Sequence, residues 1–174
     1  ETRAVDTEKR TIELAFSSEL PVDRGGAFEI LDHDPKSVDL SRLQRGAALL
    51  VNHDRDQHVG RVESARIDAD KRGRAVVRFG RSARASEIWH DVQDGIRTLV
   101  SVGYAVRDWV TERTEDGTET YRVTRWEPLE LSIVSVPADA SVGVGRELTA
   151  TTIAPTTAPT SAAQSNTAAT ITTE

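Results

Sequence analysis

Apolar residues recur at every second position through much of residues 8 to 146, so the chain is expected to fold mainly as strands. Thr11-Ile12-Glu13-Leu14-Ala15-Phe16 alternates, Ala27-Phe28-Glu29-Ile30-Leu31 is a short apolar run, and Ala47-Ala48-Leu49-Leu50-Val51 has the unbroken apolar character of a strand buried on both faces. Val59 to Ile67 and Gly73 to Phe79 flank the turn-forming Asp68-Ala69-Asp70-Lys71-Arg72 and predict a hairpin. A second hairpin is expected to join Val106–Thr111 to Thr120–Trp126 across Glu115-Asp116-Gly117, with a last strand from Leu129 to Val136 ending at Pro137. Helical periodicity is clearest from Ser82 to Asp94, with Ser82 as N-cap, Ile88, Trp89, Val92 and Ile96 facing inward, and Gly95 as the stop. A shorter helix is expected near Asp34 to Leu43. The expected fold class is α+β and strand-dominated: a small antiparallel β-barrel with flanking helices.

One strand departs from the rest in what it carries. In Leu99-Val100-Ser101-Val102-Gly103-Tyr104-Ala105-Val106, the larger residues Val100, Val102, Tyr104 and Val106 share one face. Ser101, Gly103 and Ala105 leave the other face hollow, with room for a second backbone to approach a hydroxyl. A serine in a buried strand either bonds a neighbouring carbonyl or serves as a nucleophile, and the pattern admits both.

Composition narrows the classes. With 174 residues the chain is long enough for one domain with a real core. A formal charge of -6 argues against sequence-independent nucleic-acid binding, which needs clustered Lys and Arg. The chain has no cysteine, so it offers neither a disulfide framework nor a thiolate metal site. No apolar run approaches the roughly 20 residues of a membrane-spanning helix, and Glu1-Thr2-Arg3 does not begin a signal peptide. The chain also lacks methionine, from which we expect it to begin inside a longer product or after processing. After Glu147 the composition turns to Thr, Ala, Pro and Ser, so residues 1–147 are expected to form the domain and 148–174 a disordered linker or tail.

Two further residues bear chemistry. His53 follows the apolar strand in Val51-Asn52-His53-Asp54, where partial burial and nearby carboxylates suit a general base, although the same residue could simply cap a turn. Glu130 lies in Leu129-Glu130-Leu131-Ser132-Ile133-Val134, sharing a strand face with Ser132 opposite the leucines; that face meets either solvent or a polar site. Base, hydroxyl and carboxylate together form the set that nucleophilic catalysis needs. His53-Asp54-Arg55-Asp56-Gln57-His58 also offers imidazoles and carboxylates to a metal, though its spacing matches no helical zinc motif.

The order Leu49-Leu50-Val51-Asn52-His53-Asp54, Val59-Gly60-Arg61-Val62, Ser101-Val102-Gly103-Tyr104 and Leu129-Glu130-Leu131-Ser132-Ile133-Val134-Ser135-Val136-Pro137-Ala138 resembles the tailed-bacteriophage prohead proteases. These are serine endopeptidases of capsid maturation with a fold similar to herpesvirus assemblin. The resemblance covers about residues 10 to 146. It implies that His53 is the catalytic histidine, Ser101 the nucleophile and Glu130 the third member. Assemblin uses a second histidine there, and none follows Ser101, which leaves Asp54 and Asp139 as alternatives. It further implies no cofactor and no metal, and, as substrates, the chain itself and the scaffold segment of a capsid protein. The setting it implies is an assembling procapsid in the host cytoplasm, with a homodimer suggested by analogy. Oxyanion donors are sought near Gly103 or in Gly143-Val144-Gly145-Arg146. The competing readings are an inactive scaffolding module, with Trp109 and Trp126 as contact residues, and a His/Asp metal hydrolase.

Overall fold

The computed structural model describes residues 5–113 and 117–145. In chain order the elements are β1 (Val5–Asp6), β2 (Thr11–Ser18), β3 (Val22–Asp23), β4 (Ala27–Leu31), α1 (Ser41–Gln44), β5 (Ala48–Val51), β6 (Gly60–Ile67), β7 (Arg72–Phe79), α2 (Ala83–Gln93), β8 (Val100–Arg113), β9 (Glu119–Ile133) and β10 (Gly143–Val144). All ten strands belong to one mixed sheet, in which β1, β2, β7, β6, β5, β9, β4 and β3 follow one another, β10 joins β2 and β8 joins β9.

The expected closed antiparallel barrel does not form. β9 takes β5 and β4 along one edge, both parallel to it, with Leu49–Val51 against Leu131–Ile133 and Ala27–Leu31 against Glu119–Val123. Its other edge is occupied by β8, which pairs with no further strand among the described residues; Val144 of β10 reaches only Thr98, ahead of β8, at 2.8 Å, and the sheet does not close. The flanking helices are also few: α1 has four residues and α2 eleven.

The β6–β7 hairpin forms where the alternation places it, with Val62 opposite Val77 and Ala65 opposite Ala75. Ser82 caps α2, its side chain accepting from the Ala85 N–H at 3.2 Å, as an orphan helix-start donor requires. Ala85, Ile88, Trp89 and Val92 are buried, and the Trp89 and Phe79 rings lie 5.2 Å apart. Ile96, expected to face inward, is 74% exposed because Gly95, at φ +75, has already ended the helical path.

The two predicted strands at Thr120–Trp126 and Leu129–Val136 are one strand ending at Ile133; a register shift opposite Tyr104 and Pro128 absorbs the proline without breaking it. Between β4 and β5 the chain stays beside β9, with the Trp126 N–H donating to Ser37 O and the Asp39 N–H to Trp126 O, each at 2.9 Å. Trp126 is thereby buried, its indole N–H donating to Asp32 O at 2.8 Å, whereas Trp109 on the outer part of β8 is 56% exposed. The core gathers Ile12, Leu14 and Phe16 of β2 with Leu49, Val77, Ile88, Val100, Leu131 and Ile133, each side chain contributing about 1.5–3 kcal/mol on burial. The tail from residue 148 and the tip residues Glu115 and Asp116 lie outside the described residues.

Candidate active site

The site is assembled where β5 ends against the C-terminal half of β9. Val51, Asn52, His53 and Asp54 make a tight turn closed by the Asp54 N–H donating to Val51 O at 3.0 Å. Asn52 and His53 both have positive φ, 51° and 60°, the conformation required at the two central positions of a type I′ turn. Asn tolerates this region well, and here its side chain also accepts from the Ser135 N–H at 3.1 Å. The main chain at the turn is pinned to β9, the Asn52 N–H donating to Ile133 O at 3.0 Å and the His53 N–H to Ser132 Oγ at 3.0 Å.

This anchoring delivers the imidazole to Glu130. His53 Nδ1 lies 2.6 Å from Glu130 Oε1, and Ser132 Oγ donates to Glu130 Oε2 at 2.8 Å. An ionised carboxylate only accepts, so Nδ1 carries the proton and Nε2 is left as the basic nitrogen. Glu130 is mostly buried whereas His53 is open to solvent, an orienting carboxylate beneath an accessible base.

Ser101 stands one strand away, directly opposite Ser132, with Gly103 directly opposite Glu130. Facing residues of an antiparallel pair project to the same side, with Cβ atoms about 4.5–5.5 Å apart, so Ser101 shares the face of Ser132 and Glu130. Ser101 is 7% exposed and its hydroxyl makes no hydrogen bond among the described residues, His53 included. The expectation of a hydroxyl satisfied by a neighbouring carbonyl is therefore not what the structure contains. Since no fully buried side-chain oxygen there lacks a partner, the Ser101 Oγ keeps access to solvent.

The alternatives for the third group are otherwise engaged. Asp54 accepts from the Asp56 N–H at 2.9 Å within its own loop, and Asp139 accepts from Ser18 Oγ at 2.6 Å. Among the described residues no three His, Cys, Asp or Glu side chains converge as a metal would require, so the His53–His58 loop does not form such a set. Of the oxyanion candidates, Gly143 lies in β10 paired to Ala15, and Arg146 lies outside the described residues. The Val134 N–H donates to Leu99 O at 3.0 Å, which fixes the alternation of the β8–β9 ladder and turns the Gly103 N–H into it, toward Glu130.

Ser132 shares a strand face with Glu130, a pattern that assigns it no task, yet it ties His53 to Glu130. A second serine–histidine contact has no counterpart in the sequence pattern. His33 is fully buried, with Nδ1 donating to Leu31 O at 2.8 Å and Nε2 accepting from Ser17 Oγ at 2.8 Å. Burial holds this imidazole below its ordinary pKa, so it is neutral. The Asp32-His33-Asp34 stretch reads as a polar loop, and no local pattern announces that its histidine turns inward.

A histidine oriented by a carboxylate beside a serine with a free hydroxyl is the side-chain set of serine hydrolases. The chain belongs to the caudovirus prohead serine protease family, whose sequence model matches residues 25–157. It is also 49% identical over 142 residues to the major capsid protein of Halomonas phage phiHAP-1, an alignment covering 80% of this chain and 24% of that protein. The chain thus spans about a quarter of the length of that relative. No solved structure matches it.

Proposed function

We propose that this domain is the serine endopeptidase of phage capsid maturation, cleaving the scaffold segment of a capsid protein and its own chain within an assembling procapsid in the host cytoplasm. Ser101 is the nucleophile, His53 the general base and Glu130 its orienting carboxylate. The observation that carries this reading is the 2.6 Å contact between His53 Nδ1 and Glu130 Oε1, one strand from an unbonded Ser101 hydroxyl. Family membership supports peptide-bond hydrolysis, and a relative named for the major capsid protein supports a place in the capsid.

In the reaction, His53 Nε2 takes the Ser101 proton as Oγ bonds to the scissile carbonyl carbon. The imidazolium, stabilised by Glu130, returns that proton to the leaving amine as the C–N bond breaks. Water, deprotonated by the same nitrogen, then releases the acyl group and restores the serine. Ser101 and His53 share no hydrogen bond before substrate binds, and the reaction requires them to come together in the substrate complex, where catalytic hydrogen bonds commonly tighten.

The test is processing of the full-length product in a procapsid assembly reaction. Wild-type chain is expected to yield shortened capsid protein and shortened protease, and Ser101→Ala to yield neither. Continued processing by Ser101→Ala would remove Ser101 as nucleophile. The name of the relative favours one second reading, an inactive scaffolding module; assembly without any cleavage in wild type would select it.

A further inference from the structure

Beside Ser101 lies a cleft that the steps above leave unused. It is a narrow, partly open cleft, and Ser101 contributes to its lining while His53, Glu130 and Ser132 do not. Phe16, Val100 and Val142 form a fully buried floor, and Leu31 and Val102 extend the apolar wall. Apart from Ser101, several polar groups of the lining already bond one another. Arg24 Nη2 donates to the Tyr104 hydroxyl at 2.6 Å, that hydroxyl donates to Glu29, and Asp139 accepts from both Ser18 and Ser141 at 2.6 Å. A charged side chain entering the cleft would lose its water against a largely apolar lining, whereas an aliphatic one would replace water against carbon.

The main chain of β8 shows how such a side chain would arrive. Ladder alternation turns the N–H and C=O of Ser101 and Gly103 toward β9 and those of Val102 outward, at the edge where no strand pairs among the described residues. An extended peptide along that edge bonds through its backbone and sends alternate side chains to opposite faces, one of them the Val102 face that lines the cleft.

We propose that this cleft receives one branched aliphatic side chain, of leucine, isoleucine or valine, from an extended peptide and sets the sequence preference of cleavage at Ser101. The inference rests on Ser101 being the nucleophile. Two residues at the mouth allow it to be tested without disturbing the core: Leu20, 45% exposed, and Ala138, also exposed. The probe is a peptide mixture made by digesting a whole proteome, with new termini read by mass spectrometry for wild type, Ser101→Ala, Ala138→Trp and Leu20→Asp.

Wild type is expected to produce Ser101-dependent termini enriched in Leu, Ile or Val at one fixed position. Ala138→Trp narrows the mouth and is expected to lower kcat/KM for those peptides roughly 10- to 200-fold, the range for misfitting a hydrophobic pocket, while sparing peptides with Gly or Ala there. Leu20→Asp is expected to weaken the aliphatic preference and admit Lys or Arg. Ser101-dependent cleavage without aliphatic enrichment, or with selectivity unmoved by both variants, overturns the cleft and leaves the nucleophile standing. Absence of any Ser101-dependent cleavage overturns the nucleophile and the cleft with it.

Discussion

Gly103 faces Glu130 across the β8–β9 ladder, and the Glu130 carboxylate occupies the space where a Cβ on residue 103 would lie. The hollow face of the serine strand thus houses the group that orients His53. Gly103→Ala would collide with Glu130 Oε1, the oxygen that contacts His53 Nδ1, so relieving the clash displaces that oxygen. Since a misplacement of about 1 Å can cost roughly 100-fold in rate, we expect that order of loss in kcat, with a stability change within about 1 kcal/mol. Peptide cleavage measured beside urea unfolding checks both halves.

Gly60 meets an obstacle of the opposite kind. A Cβ there would run into the Arg78 carbonyl and crowd the Phe79 Cα, backbone atoms fixed by the β6–β7 ladder. Neither can step aside, so Gly60→Ala is expected to destabilise the fold by about 1–3 kcal/mol, the range for overpacking. Urea midpoints should register the loss, while the rate per folded molecule stays near wild type.

These two glycines mark what the sequence makes legible. Local alternation exposes β2, the β6–β7 hairpin and the small-residue face of β8, because period two is written in neighbouring residues. Helical spacing and Ser82 likewise place α2. The parallel seating of β4 and β5 along β9 is not local: it goes with Trp126 docking between Ser37 and Asp39, partners in a stretch expected to be a short helix, whereas α1 spans only Ser41–Gln44. The antiparallel barrel expected from the strands and hairpins has no place for these two parallel pairings. For the site, the resemblance named His53, Ser101 and Glu130, whereas the tie through Ser132 needs three-dimensional contact, since only the Asn52–His53 turn brings the His53 N–H within reach of its hydroxyl.

Glu130→Gln tests the orientation of the base. An amide in place of the carboxylate can offer its N–H to Nδ1, which moves the ring proton to Nε2 and leaves no basic nitrogen for Ser101. In trypsin-like enzymes the equivalent Asp-to-Asn change lowers kcat about 10⁴-fold with geometry intact, and a loss of about 10³-fold or more is expected here. Ser132→Ala frees both the Glu130 carboxylate and the His53 N–H, so a smaller drop in kcat is expected, with partial rescue by Ser132→Thr. Single-turnover kinetics on one peptide substrate would rank the three variants; an unchanged rate in Glu130→Gln would show that the imidazole does not depend on this carboxylate.

His33 makes stability depend on pH in a direction that can be worked out. Desolvation dominates its environment and lowers its pKa from the ordinary 6.5, outweighing the carboxylates of Glu19, Asp32 and Asp139. Below about pH 6.5 the unfolded chain therefore binds a proton that the folded chain refuses, and linkage requires stability to fall as pH falls through that window. Protonation would also force Nε2 to become a donor facing the Ser17 hydroxyl, whose own proton would have to turn away. The urea midpoint of wild type is expected to drop between pH 7 and pH 5. His33→Asn should be less stable at pH 7, having lost the buried contacts to Ser17 and Trp126, yet show a shallower drop over the same interval. Because the surface carboxylates titrate alike in both proteins, the difference between the two slopes isolates the histidine, and equal slopes would assign the acid sensitivity elsewhere.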